Sequence, residues 1–270
     1  MTPKPTINWE EIRKRKLFLA SPLYGNLMHF GFYQSVLTLA LSCQRSGISL
    51  GIKHIGCDSL VPRARNTLVA HFLESDCTDL LFIDADIKFE TEDIFTLLAL
   101  EEPIVGGVYP RKQLDWGRIS KAAKAGVPAE QLPYYGFIGV MNWQAEGDYS
   151  LDELIEVRHL GTGCLRIRRH VIEDMILQLG DAITFDYSSE QEAFKGKVGY
   201  DLFPTGPDIR YPLGSGGRQY MSEDWAFCEL ARSCGFKLFA APWIQLTHSG
   251  NMDYMGSLQV MDAALEEMFK

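Results

Sequence analysis

The chain has 270 residues, 46% of them hydrophobic and 23% charged, a composition typical of a folded protein with ample chain for a core. Its 26 Lys and Arg stand against 35 Asp and Glu, for a formal charge of -9. Such an acidic balance argues against a nucleic-acid partner, which needs clustered basic side chains to replace phosphate counterions.

No apolar run approaches the ~18 residues of a membrane span, and the charged stretch Glu10–Lys16 followed closely by Pro22 does not read as a signal peptide. The six cysteines show no close pairs, so reduced, mostly buried thiols in a soluble, cytoplasmic setting are expected, with peripheral membrane attachment left open. Lys16–Ala20 is a short apolar run read as a buried strand. From about His29 to Arg45 apolar side chains recur at helical spacing, at Phe30, Tyr33, Leu37 and Leu41, and Gly47 stops that helix. Ile48–Ile55 follows as a strand and Pro62–Glu74 as a helix with proline in its first turn. Leu80–Ile83 reads as a wholly apolar strand covered on both faces. Thr91–Leu100 reads as a helix with Thr91 as its N-cap and two acids in its positive first turn. This alternation implies a central, mainly parallel mixed sheet flanked by helices in an α/β fold.

The second half is less regular. The polar segment 112–133 is expected to be a flap. Tyr134–Trp143, Leu154–Ile167 and Phe236–Leu246 read as strands, and Arg169–Leu179 and Ser222–Cys234 as helices. Tyr187–Gln219, rich in Gly, Pro and Tyr, is long for a connection and is expected to be a binding element. A single domain over residues 1–270 is expected, with a nucleotide-side half (about 17–110), an acceptor-side half (about 111–256) and a C-terminal helix (257–270).

Asp84 and Asp86 stand two residues apart at the end of the apolar strand, where strand parity puts both on one face and where ligands of open α/β sheets bind. Paired carboxylates call for a positive charge between them, and a divalent cation supplies it; the bland alternative is a solvated turn. His248 shares the strand parity of Ile244 and Leu246. Two carboxylates and an imidazole suit Mn²⁺ or Mg²⁺, although a lone histidine there is more often structural. Arg65 and Asn66 lie one helical step below the apolar stripe Leu68, Val69, Phe72, Leu73, on the inner edge of a helix N-terminus. A guanidinium there demands an anion, either a diphosphate or a protein carboxylate such as Asp58 or Asp84. In Ser222-Glu223-Asp224 the serine is a natural N-cap and the acids suit the first turn, while a carboxylate there could also act as base toward a hydroxyl. Trp116, Tyr135, Tyr211 and Trp225 offer flat aromatic faces to a ligand. Gly106-Gly107 is no P-loop, since no G-K-[ST] follows.

Taken in order, S-P-x-Y, R-x-R-N, L-F-I-D-A-D-I, G-G-V-Y-P-R-K, G-T-G-C-L, S-E-D-W-A-F and H-S-G resemble nucleotide-sugar glycosyltransferases of the GT-A fold, over roughly residues 17–256. The resemblance is to viral, chlorovirus-type GT-A domains and, more distantly, to mannosyltransferases sharing the A-R-N-x-L and D-A-D-I portion. It implies a GT-A domain that moves a sugar from a UDP- or GDP-linked donor to a hydroxyl acceptor, such as a glycan. It further implies that Asp84, Ala85 and Asp86 form the D-x-D that holds Mn²⁺ (or Mg²⁺) and the diphosphate, with His248 as late metal ligand. Pro22 and Tyr24 would cradle the base, Arg65 and Asn66 the donor side. Glu223 and Asp224 match the acidic pair near the sugar, and Gly161, Thr162, Gly163 and Trp225 the acceptor side. Sugar, nucleotide, acceptor and stereochemistry stay open. Alternatives are a non-catalytic binding module of the same fold and a sugar-nucleotide pyrophosphorylase, which would want a more glycine-rich first loop than Ser21–Gly25.

Overall fold

The computed structural model describes residues 4–144, 149–187, 194, 196–208, 210 and 217–251. The expected C-terminal helix at 257–270 and Tyr211 lie outside the described residues. The first half comprises helix α1 (Trp9–Ile12), strand β1 (Lys16–Leu23), α2 (Phe30–Ser46), β2 (Ser49–Gly56), α3 (Val61–Glu74), β3 (Asp79–Ile83), the two-residue β4 (Ile87–Lys88), α4 (Thr91–Ala99) and β5 (Ile104–Gly106). Next come α5 (Trp116–Lys124), α6 (Leu132–Tyr135), β6 (Met141–Trp143), β7 (Ile155–Leu160), β8 (Cys164–Arg168) and α7 (Arg169–Leu179). Short strands β9 (Thr184–Asp186), β10 (Val198–Tyr200), β11 (Gly206–Pro207) and β12 (Tyr220–Met221) precede α8 (Glu223–Ser233), β13 (Leu238–Ala240) and β14 (Thr247–His248).

One eight-stranded sheet runs in the order β2-β1-β3-β8-β5-β13-β7-β6. Following the pairings across it, β2, β1, β3, β5, β13 and β6 point one way and only β8 and β7 run against them. The expected mainly parallel mixed sheet flanked by helices is therefore the observed architecture. Apolar cores fill both faces: one holds Leu68, Phe72, Phe82, Ile167 and Phe227, the other Leu17, Phe32, Leu39, Leu81 and Ile94. All five residues of β3 are buried: Asp79, and after it the apolar run Leu80–Ile83 expected of a strand covered on both faces.

Several boundaries differ from the sequence reading. Leu154–Ile167 is two strands, because Gly161–Gly163 turns the chain and β8 inserts between β3 and β5. Tyr134 and Tyr135 belong to a helical turn; of that segment Met141–Trp143 pairs with β7 and Gly139 bridges Pro110. Phe236–Leu246 contributes just three strand residues before Ala241 turns away. Glu90, not Thr91, is the N-cap of α4.

Helix α2 forms where the periodicity puts it and ends at Gly47, whose φ of 73° needs a residue without Cβ. Its inward stripe is Phe32, Ser35, Leu39 and Cys43, whereas Phe30, Tyr33, Leu37 and Leu41 face outward, Phe30 being 71% exposed. The helix carries two stripes at equivalent spacing, and the inward one is set by core packing of Phe32, Leu39 and Cys43 together with two hydrogen bonds: the Ser35 hydroxyl donates to the Phe89 carbonyl at 2.6 Å and accepts from the Phe89 N–H at 3.1 Å.

Candidate functional site

The C-terminal ends of β1, β3 and β5 share one edge of the sheet, and a cavity of about 420 Å³ opens there. Its walls include Pro22, Tyr24, Arg65, Asp84, Asp86 and His248, with Ala85 and Glu223 beside them. Pro22 is the penultimate residue of β1 and Tyr24 begins a 3₁₀ turn through Gly25 and Asn26, whose φ values of 62° and 59° place two successive residues in the left-handed region. That turn leaves Tyr24 75% exposed at the cavity rim.

The D-A-D segment is not a continuation of the strand. β3 stops at Ile83, and the Ile87 N–H closes a turn on the Asp84 carbonyl at 3.0 Å. Strand parity is therefore not what brings the two aspartates together; a turn delivers both into the cavity, each with a different partner. Asp84 accepts from Arg65 Nη2 at 2.8 Å. Asp86 accepts from Lys112 Nζ at 2.5 Å and lies 3.3 Å from His248 Nε2. Burial opposes ionisation of Asp86, but the bonds from His248 and Lys112 outweigh it and hold the carboxyl down at about 2.

His248 reaches this point by β-pairing rather than as the end of a long strand. β14 pairs antiparallel with β4, so that His248 faces Ile87 across the ladder, and the Ser249 N–H donates to the Asp86 carbonyl at 2.8 Å. The imidazole Nδ1–H donates to the Pro110 carbonyl at 2.7 Å, which turns Nε2 toward Asp86. Burial lowers the His248 pKa, yet the Asp86 and Pro110 bonds more than compensate and leave it raised. Among the described residues no three His, Cys, Asp or Glu side chains converge as a ready-made metal cluster.

Arg65 is 3% exposed. Its position in the first turns of α3 carries the guanidinium under the cavity floor, 5.4 Å from the centre of the Phe82 ring. Besides Asp84 it donates through Nε to Glu223 at 3.3 Å, while its Nη1 is buried without a hydrogen-bond partner. Asp58 pairs instead with Arg63. Asn66 does not join the cavity wall. Its Nδ2 donates to Asp201 at 2.7 Å and its carbonyl accepts the N–H groups of Leu202 and Phe203, so it anchors the 201–203 segment.

α8 begins at the far wall. Ser222 occupies its N-cap position, but the hydroxyl bonds the Asp224 carboxylate rather than a backbone N–H of the first turn. Asp224 also accepts from the Trp225 N–H at 2.8 Å. Burial and, more weakly, the neighbouring Glu223 charge raise its pKa above the ordinary aspartate value, against the Ser222 and Trp225 bonds. Glu223 faces the Arg65 cavity, whereas Trp225 borders a second cavity on the other side of the turn.

Gly161, Thr162 and Gly163 are buried and line neither cavity. They wrap the Tyr109 phenol: a Cβ on Gly163 would sit 2.7 Å from that ring, and one on Gly161 would run into its hydroxyl. Tyr109, edge-on to His248 at 5.4 Å, and Lys112 were not singled out from sequence as site residues, although both lie in the G-G-V-Y-P-R-K stretch. A lysine and a tyrosine in a polar loop carry no periodic signal, so the motif itself was the available clue. Trp116 and Tyr135 are exposed on the α5–α6 segment and border neither cavity.

No protein-family model and no curated protein sequence matches the chain. Solved structures similar to it include a glycosyltransferase involved in the glycosylation of the major capsid of PBCV-1, at 12% identity and a TM-score of 0.32, covering 94% of this chain and 99% of that one. GalNAc-T7 with UDP, GalNAc and Mn²⁺ aligns at 10% identity and a TM-score of 0.45, over 93% of this chain and 48% of that one. Staphylococcus aureus TarS 1–349 in complex with UDP-GlcNAc aligns at 10% identity and a TM-score of 0.38, over 88% and 60%. The chain thus spans about half to three-fifths of the latter two. These likenesses are too distant to assign an activity, and the chemistry rests on the cavity itself.

Proposed function

We propose that the chain is a metal-dependent glycosyltransferase that moves a sugar from a nucleoside-diphosphate sugar to a hydroxyl acceptor. The observation that carries this reading is one cavity, at the carboxyl edge of a mainly parallel sheet, lined by Asp84, by the facing pair Asp86 and His248, and by a buried arginine whose Nη1 has no hydrogen-bond partner among the described residues. The residues fit a hard divalent cation. Asp86 and His248 Nε2 face one another, the second ring nitrogen is tied to a carbonyl, and a lysine ammonium already answers the negative charge there. Mn²⁺ or Mg²⁺ bound through one or two carboxylates takes its remaining ligands from water and phosphate oxygens. Such a cation would neutralise charge on the departing diphosphate.

The chain's own groups supply the rest. Arg65 Nη1, buried and without a hydrogen-bond partner among the described residues, offers a charge-assisted hydrogen bond to a diphosphate oxygen. Tyr24 and Pro22 present flat and apolar surface at the rim for the nucleoside base. Asp224, half-buried and with a raised pKa, is suited to take the proton of the attacking hydroxyl. The acceptor oxygen bonds the anomeric carbon, and the bond from that carbon to the diphosphate breaks with its electron pair going to the diphosphate.

Calorimetry with UDP- and GDP-sugars, with and without Mn²⁺, tests the reading. Binding of one donor that strengthens at least tenfold with Mn²⁺, followed by release of the nucleoside diphosphate on adding acceptor, is the expected result. A protein that binds none of them under either condition is not this enzyme.

A further inference from the structure

The first turn of α8 stands between two cavities. Glu223 faces the one that holds the aspartates and Arg65. Trp225, two residues on, borders another of about 390 Å³, at the small end of the range for small-molecule pockets. Asp224 lies between them in sequence. Asp208, Arg210, Gly217 and Gln219, from the segment expected to be a binding element, line the second cavity together with Asn142, Arg158 and His159 of the sheet.

Its charges are already matched. Glu229 accepts from Arg158 Nε at 2.7 Å, from Arg210 Nη1 at 2.7 Å and from His159 Nε2 at 2.7 Å. Arg210 also grips Asp208 through Nε and Nη2, at 2.8 and 2.6 Å. The Asn142 amide nitrogen lies 2.9 Å from His159 Nδ1, and burial lowers the His159 pKa despite the Glu229 bond. Two arginines therefore face two carboxylates. An anionic ligand would have to displace Glu229 or Asp208 from their guanidinium groups. The indole of Trp225 is held flat against the His159 ring, with centroids 5.1 Å apart and planes 10° from parallel. A rigid aromatic wall beside polar groups whose formal charges cancel suits a ring with one apolar face and many hydroxyls.

We infer that this second cavity holds the acceptor, and that the acceptor is an uncharged pyranose that packs on Trp225 and presents a hydroxyl to Asp224. The inference rests on the proposed transferase reading, since Asp224 stands between Glu223 of the one cavity and Trp225 of the other in the first turn of α8 and is the base in that reading. On transfer the hydroxyl proton passes to Asp224 as the new bond to the anomeric carbon forms and the diphosphate leaves with the bonding pair.

The test uses the full chain and methyl glycosides of glucose, galactose and mannose, with methyl glucuronide and glucose 6-phosphate as anionic counterparts. Binding is read by saturation-transfer NMR in the presence of UDP and Mn²⁺, for wild type, Trp225→Ala and Trp225→Phe. UDP affinity is measured on the same preparations. The expected result is that at least one neutral glycoside binds wild type in preference to the anionic sugars. Its affinity should fall about tenfold in Trp225→Ala, the scale of one lost ring-stacking contact, and recover in Trp225→Phe, with UDP affinity unchanged in all three. Preferential binding of the anionic sugars, or equal binding of the neutral glycoside to Trp225→Ala, overturns the inference while leaving the donor site standing. Loss of UDP binding by wild type itself would instead remove the transferase reading on which the inference depends.

Discussion

Replacing Arg65 by methionine separates the two jobs that the structure gives it. The guanidinium, 3% exposed, bonds Asp84 at 2.8 Å and Glu223 at 3.3 Å and leaves Nη1 for a ligand. Methionine keeps much of the stem's packing near Phe82 but leaves the two carboxylates without their shared cation. Breaking a fully buried ion pair costs about 3–5 kcal/mol; here Asp84 and Glu223 retain 26% and 19% side-chain exposure, so water recovers part of that and the loss falls to about 2–3 kcal/mol. For a chain of this size that corresponds to a melting temperature lower by about 4–5 °C. Adding Glu223→Gln to Arg65→Met should return part of the loss by removing one bare carboxylate, a coupling read from a double-mutant cycle. On the binding side, UDP should lose about tenfold or more in affinity, the scale of one charge-assisted hydrogen bond, while uridine binds as before. Thermal unfolding without ligand and calorimetry with UDP and uridine give all the numbers. An unchanged melting temperature together with equal losses for uridine and UDP would refute both the ion-pair and the diphosphate argument.

Asp86→Ala should abolish the Mn²⁺ dependence of UDP binding and also lower the melting temperature, because it removes the carboxylate that His248 and Lys112 hold ionised; UDP titrations with and without Mn²⁺ and thermal unfolding check it. Asp224→Asn should bind donor normally yet transfer roughly 10²–10⁴-fold more slowly, the scale of a lost general base, in single-turnover assays. Because burial raises the Asp224 pKa, the basic form appears only as pH rises through that raised value, so the wild-type transfer rate should climb with pH above the ordinary aspartate range and the asparagine variant should lose that limb. On α2, Leu39→Ala should cost about 2–5 kcal/mol as a core truncation, whereas Leu37→Ala on the outward stripe should change stability by at most about 0.5 kcal/mol. Denaturant unfolding of the two variants decides whether the inward face of α2 is correctly placed.

Local pattern was sufficient wherever a residue's role depends on its near neighbours. The run Leu80-Leu81-Phe82-Ile83 could only be a buried strand, and Arg65 had to be an inward cation because the stripe Leu68, Val69, Phe72 sets the face of α3 within two turns. The acids at Glu223 and Asp224 had to open a helix whose Phe227 and Ala231 point to the core. Those features make the α/β class and the main cluster of candidate residues legible in the sequence alone. What tertiary structure alone decided depends on partners distant along the chain. Asp84 and Asp86 share a cavity because a turn follows β3, and His248 joins them because two residues of β14 pair with β4. Asn66 is spent on the 201–203 backbone, and Lys112 is delivered to Asp86 by a loop with no periodicity of its own. The two stripes of α2 are equivalent in spacing, and the inward one is set by core packing of Phe32, Leu39 and Cys43 together with the hydrogen bonds between Ser35 and Phe89. Periodicity reports which residues share a face, but the choice of face comes from contacts made across the fold.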